Sequence, residues 1–198
     1  MESLCGSLRM MRWSKLVVLT CAVLLLASEQ SASKTPVTTA AAAFKVTTVY
    51  LVRHAEKAAT PADNPPLLET GQARARGLAH ILGKAGIKTI YTSQFLRTQQ
   101  TAAPLAQLLG LTAMVVPVSM DTMNANVVAP QYLKDMTKRI YDNAGQPVLI
   151  VGHNNTVPAL IKELGGDIVP TIPETEFDNL FVVTVTAKGK AKVAHLKQ

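Results

Sequence analysis

Cysteine is almost missing from this chain. Of 198 residues, only Cys5 and Cys21 carry a thiol, and both lie in an N-terminal segment that reads as one to be removed. The remainder then offers no cysteine nucleophile, no disulfide framework and no thiolate metal site, a composition that suits an oxidising compartment. Aromatics are also few. With Trp13 set aside in the same segment, four Phe and four Tyr remain, and no basic stretch interleaves them as a base-stacking platform requires, which disfavours nucleic acid as a partner. Long apolar runs are missing too. The longest, residues 16–27, has 12 residues, whereas a helix needs about 20 to span a bilayer. No His-Glu-x-x-His pattern, Gly-x-x-x-x-Gly-Lys-Ser/Thr loop or Gly-x-Ser-x-Gly elbow occurs. Zincin-type hydrolysis, P-loop nucleotide cleavage and serine hydrolysis therefore have no sequence support.

The N-terminal segment has its own logic. Arg9, Arg12 and Lys15 precede the apolar run, and the small residues Ser31-Ala32-Ser33 follow it. Basic, apolar and small regions in that order read as a secretory signal peptide over residues 1–33, with an uncleaved anchor as the lesser alternative. The expected location is periplasmic or secreted, with no stable membrane span after cleavage. Residues 34–44, rich in Ser, Thr, Ala and Pro, read as a linker, and residues 45–198 as one domain with a real core. Losing three basic and two acidic residues lowers the net charge from +7 to +6. That balance fits a phosphorylated substrate, without selecting it over other anions.

Past the linker, strand-like and helix-like patterns alternate. Residues 46–52, 89–92, 114–118 and 147–151 are short apolar runs suited to buried strands. Residues 70–82, 97–109, 130–141 and 156–164 carry helical spacing, with Pro104 expected to kink or break the second of them and Asn155 placed to cap the fourth. Residues 180–186 and 191–196 flank Lys188-Gly189 as a closing hairpin. Strands alternating with helices predict a three-layer α/β/α sandwich with a mostly parallel sheet and a C-terminal antiparallel hairpin.

Polar groups appear where three apolar runs stop. The first run delivers Arg53-His54, the second leads through Tyr91-Thr92-Ser93 to Arg97, and the fourth runs into Gly152-His153-Asn154-Asn155. In open α/β sheets the carboxyl ends of the strands are where ligands bind. Two arginines can fork onto phosphate oxygens, cationic neighbours keep an imidazole neutral and nucleophilic, and a second histidine can stabilise developing charge.

These segments resemble the histidine phosphatase superfamily, also called phosphoglycerate mutase-like. Leu51-Val52-Arg53-His54-Ala55-Glu56 is similar to its Arg-His-Gly-Glu signature, and Pro66-Leu67-Leu68-Glu69-Thr70-Gly71-Gln72-Ala73 to its Pro-Leu-Thr-x-x-Gly-x-x-Ala segment, with Leu68 at the usual threonine. Residues 91–102 resemble its Ser-x-x-x-Arg-x-x-x-Thr-Ala block, and Val151-Gly152-His153-Asn154-Asn155 its second histidine motif. The resemblance implies a phosphatase of the small branch with a phosphohistidine intermediate on His54. It also implies a pocket of Arg53, Arg97 and His153, a substrate-binding Asn155, no metal or cofactor, and a small phosphorylated substrate or phosphoprotein as partner.

One departure stands out. Many members place a glutamate between the arginine block and the second histidine, yet residues 98–151 contain none. Of the acids there, Asp121, Asp135 and Asp142, the candidate general acid is Asp121, just past the third strand. Glu174, Glu176 and Asp178 read as a loop from which one carboxylate can reach the site, and Glu56 and Lys57 read as structural. A mutase of the same superfamily and a phosphate-ligand binding protein without turnover stay open as alternatives.

Overall fold

The computed structural model describes residues 44–124 and 127–198. Residues 1–33, expected to be a signal peptide, both cysteines and most of the expected linker lie outside them. All the elements below belong to one compact unit, Ala40–Gln198.

The elements run β1 (Thr47–Arg53), α1 (Glu69–Leu82), β2 (Thr89–Thr92), α2 (Leu96–Leu109), β3 (Met114–Val115), α3 (Pro130–Asp142), β4 (Val148–Gly152), α4 (Thr156–Glu163), β5 (Asn179–Ala187) and β6 (Lys190–Lys197). They form a six-stranded sheet in the order β3-β2-β4-β1-β5-β6. β3, β2, β4 and β1 pair in parallel, while β5 and β6 add antiparallel to β1.

Side chains that alternate along a strand supply both faces of the sheet. On β4, Val148 and Ile150 join Met136 and Ile140 of α3 and Leu160 and Ile161 of α4 in one core. Leu149 and Val151 turn the other way and join Leu78 and Leu82 of α1 and Leu105 of α2 in a second. Every β4 residue is buried, as expected of a parallel strand covered on both sides. The helices that follow β1 and β4 thus go to opposite faces, which opens a crevice at the carboxyl ends of these neighbouring strands.

The three-layer fold matches its expectation; four local expectations need correction. The run 114–118 forms only the two-residue β3, with Met114 and Val115 half exposed. It is the sheet's outer strand, and Pro117 lacks the N–H to continue a ladder. β1 starts at Thr47, leaving Val46 exposed. α2 passes through Pro104 without ending, since one proline removes a single i→i−4 bond that the surrounding packing can absorb. Asn155 stands at the N-cap of α4, but its side chain makes no capping bond; the Thr156 hydroxyl accepts from the His153 N–H at 2.7 Å instead.

Two glycines are dictated by backbone geometry. Gly189, at φ +69°, turns the β5–β6 hairpin, in a region that L side chains avoid. Gly71, in the first turn of α1, packs directly on the backbone of Glu56, two residues after His54. A methyl group there would force α1 off the loop that carries the site. Gly71→Ala should therefore cost about 1–3 kcal/mol by overpacking and lower Tm by roughly 3–10 °C, as read by thermal denaturation.

Candidate active site

Strand register sets the geometry. Arg53 pairs with Gly152 across β1 and β4, and Thr92 with Val151 across β2 and β4. The residues after these pairs therefore emerge side by side. His54 donates its backbone N–H to the Gly152 carbonyl at 3.0 Å, and the rings of His54 and His153 meet edge to face with centroids 5.4 Å apart.

Each ring is held from behind. The Nδ1 of His54 lies 2.8 Å from the Ala55 carbonyl. A carbonyl can only accept, so Nδ1 carries the proton and Nε2 keeps its lone pair. His153 Nε2 lies 3.0 Å from Ser93 Oγ, which in turn lies 2.9 Å from Thr98 Oγ1. Thr98 is anchored by donating to the Phe95 carbonyl at 2.8 Å. The Ala55 N–H donates to Thr101 Oγ1, and that hydroxyl donates to the Arg97 carbonyl. One threonine thereby joins the His54 loop to the first turn of α2.

The arginines are braced differently. Arg53 spends Nη1 on three carbonyls, those of Pro173 at 2.8 Å, Glu174 at 2.7 Å and Glu176 at 3.0 Å. Its guanidinium lies over the Phe177 ring at 4.2 Å, and that of Arg97 over Phe95 at 4.1 Å, contacts that hold a planar cation on an aromatic face. The loop beneath Arg53 is itself clamped. Asn179, buried at the start of β5, donates to Glu176 and lies 2.7 Å from His195 Nε2, while Lys197 of β6 bonds both Glu176 and Asp178. After this bracing, the Nε–H of Arg53 and the Nε–H of Arg97 are buried with no acceptor among the described residues. Buried donors without partners are rare, and both belong to cations that line one cavity with His54.

Electrostatics keep both imidazoles neutral. Burial, with the positive charges of Arg53, Arg97 and Lys57 behind it, pushes His54 down to about 4 against the pull of the Ala55 carbonyl. Burial, then His54, Arg97 and Arg53, pushes His153 down to about 3. Burial also lowers both arginines, and the Glu174 carboxylate opposes this at Arg53. Guanidinium groups nonetheless stay charged.

Arg53, His54, Arg97, His153 and Asn155 all line one cavity of about 350 Å³. Asp121 does not. Its Oδ1 accepts from the Met123 and Asn124 N–H groups at 2.8 and 3.1 Å, closing a turn of its own loop. Glu56 is structural, as expected, in a 2.6 Å ion pair with Arg74, whereas Lys57 lines the cavity. The cavity also includes Asn154, Phe95, Met120 and Glu174, to which sequence reasoning assigned no definite role. Ser93, Thr98 and Thr101 stand inside the quoted arginine block, so a signal for them existed. Nothing local marks Phe177, which meets Arg53 only through the fold.

A family model described as histidine phosphatase superfamily (branch 1) matches residues 49–122, a span that includes Arg53-His54 and Arg97. The chain is similar to the histidine phosphatase superfamily over that span, a little over a third of its length. Among curated proteins, the chain is 46% identical to a PE-PGRS family protein of Mycobacterium tuberculosis over 59 residues, 29% of its own length and 10% of that protein's. It thus spans about a tenth of the curated relative it matches. Solved structures agree on the fold. The protein histidine phosphatase SixA complexed with tungstate is similar at TM-score 0.60 and 22% identity, covering 76% of this chain and 96% of that one. Phosphoglycerate mutase from Bacillus anthracis is similar at TM-score 0.59 and 17% identity, covering 77% and 93%.

The depressed histidines give the protein a stability signature. An imidazole near 6.5 when unfolded and far lower when folded costs nothing above pH 6.5. As pH falls towards 4, the unfolded chain takes up protons that the native state refuses, and stability is lost. The ligand-free protein should lose ~2–4 kcal/mol between pH 6.5 and pH 4 from this source. Melting curves across that range should be flatter for His54→Gln than for the wild type.

Proposed function

We propose that this chain is a phosphatase that passes a phosphoryl group from a phosphorylated substrate to His54 Nε2 and then to water. The observation that carries this reading is the pair of unpartnered, buried Nε–H groups of Arg53 and Arg97 beside an imidazole held neutral with its proton on Nδ1. Phosphoryl transfer asks mainly for positioning and for cationic donors on the equatorial oxygens, and the nucleophile must be unprotonated when the phosphate arrives.

The roles divide accordingly. His54 Nε2 attacks phosphorus. Arg53 and Arg97 hold the oxygens, each through a group fixed on an aromatic face. His153, steadied through Nε2 by Ser93, has its other nitrogen for a phosphate oxygen, and Asn155 adds an amide at the rim. The substrate is a small phosphorylated compound or a phosphorylated protein segment, and it is bound without nucleic acid. We further propose that residues 1–33 direct export, so that the phosphatase acts in the periplasm or outside the cell.

His54→Ala should abolish turnover of p-nitrophenyl phosphate, a loss of at least about 10³-fold in kcat. Wild-type protein quenched during turnover should carry an acid-labile, alkali-stable phosphoryl group on His54. A protein that binds phosphate but never labels would be a binder, and one that returns the group to its substrate would be a mutase. Full-length chain expressed in a bacterium with an active secretory pathway should be recovered shortened by roughly 33 residues; a mass spectrum of the intact chain would overturn the export proposal.

A further inference from the structure

The phosphatase reading leaves the leaving-group proton unassigned, and among the described residues the cavity wall holds a single carboxyl, that of Glu174. The other carboxyls nearby are engaged: Glu56 with Arg74, Asp121 in its own turn, Glu176 and Asp178 with Lys197. Glu174 is different. Its backbone is pinned, since its own carbonyl and those of Pro173 and Glu176 all accept from Arg53 Nη1, yet its side chain makes no hydrogen bond or ion pair with the described residues. This carboxyl, on a fixed backbone and beside the charge of Arg53, lines the same cavity as His54.

Resting on that reading, we propose that Glu174 is the proton donor to the leaving oxygen, and that it equips the pocket for phosphomonoesters of unactivated alcohols. Alkoxides are poor leaving groups and need a proton as the P–O bond breaks, whereas phosphoramidates and nitrophenyl esters need little help. In the first step the lone pair of His54 Nε2 forms the P–N bond. The P–O bond breaks, its electron pair stays on the ester oxygen, and that oxygen takes the proton of the Glu174 carboxyl. In the second step water attacks phosphorus, the Glu174 carboxylate takes the water proton, and the P–N electron pair returns to Nε2. The products are the alcohol and inorganic phosphate, with both side chains restored.

The assignment also accounts for the missing glutamate in residues 98–151. The acid enters from the far end of the sequence, on the loop that braces Arg53.

The test compares Glu174→Gln with the wild type on p-nitrophenyl phosphate and on glycerol phosphate. The expected result is a loss of about 10² or more in kcat/KM for glycerol phosphate, at least tenfold larger than the loss for the aryl ester. Glu174→Asp, which keeps the acid on a shorter stem, should recover part of the difference. Equal losses on both esters would show a binding or structural role and overturn the proposal, as would no loss on either. Wild-type protein inactive on both, under conditions where inorganic phosphate still raises its Tm, would overturn the phosphatase reading and this assignment together. Normal wild-type turnover with no leaving-group dependence in Glu174→Gln would overturn only the assignment.

Discussion

The parallel pairing of β1 with β4 is the constraint on which this molecule turns. Register is strongly specified where both faces of a strand are buried, because a slip by one residue exchanges the two faces. Val148 and Ile150 belong to one core and Leu149 and Val151 to the other, so β4 has a single admissible alignment. That alignment sets Arg53 opposite Gly152, and the two histidines that follow have to emerge together. Core packing thereby places the chemistry. The rings need no bond to each other, only the same strands ending at the same level.

Two neutral imidazoles and two cations in one partly closed cleft make an expensive arrangement. Burial disfavours charge on the rings, the arginines disfavour it further, and the unpartnered Nε–H groups add the cost of desolvated donors. A bound oxyanion relieves these penalties at once, because it supplies acceptors to the donors and opposite charge to the cations. Strain of this kind is characteristic of functional sites. It explains why the surrounding bonds, from Thr98 behind Ser93 to Asn179 behind Glu176, are as numerous as they are.

Much of this was legible from residues alone, and the reasons differ by element. Arg53, His54, Arg97 and His153 were readable because each sits where an apolar run stops, and strand ends converge in this architecture whatever the loops do. The four helices were readable from periodicity. The third strand was not, since an apolar run looks the same at the edge of a sheet as at its centre. Asp121 was misplaced by the same rule that found the histidines. It follows a strand end, but its loop folds back and its carboxylate closes a turn. Phe177 stood beyond reach because more than a hundred positions separate it from Arg53 and no local pattern records so distant a contact; for the same reason the loop of Glu174, Glu176 and Asp178 read as reaching the site without Glu174 being singled out.

That distance shapes how the site comes into being. Both histidines and Arg97 belong to the first 153 residues, and the His153 backbone is held by Thr156 only three positions on. Arg53 is different, because the loop holding its Nη1 is fastened by Asn179 and by Lys197 of β6. During synthesis His54 is therefore made long before the brace that holds its neighbour Arg53. A nascent chain still tethered short of β6 would carry a histidine pair without an organised anion grip, so the hairpin that closes the sheet also completes the pocket.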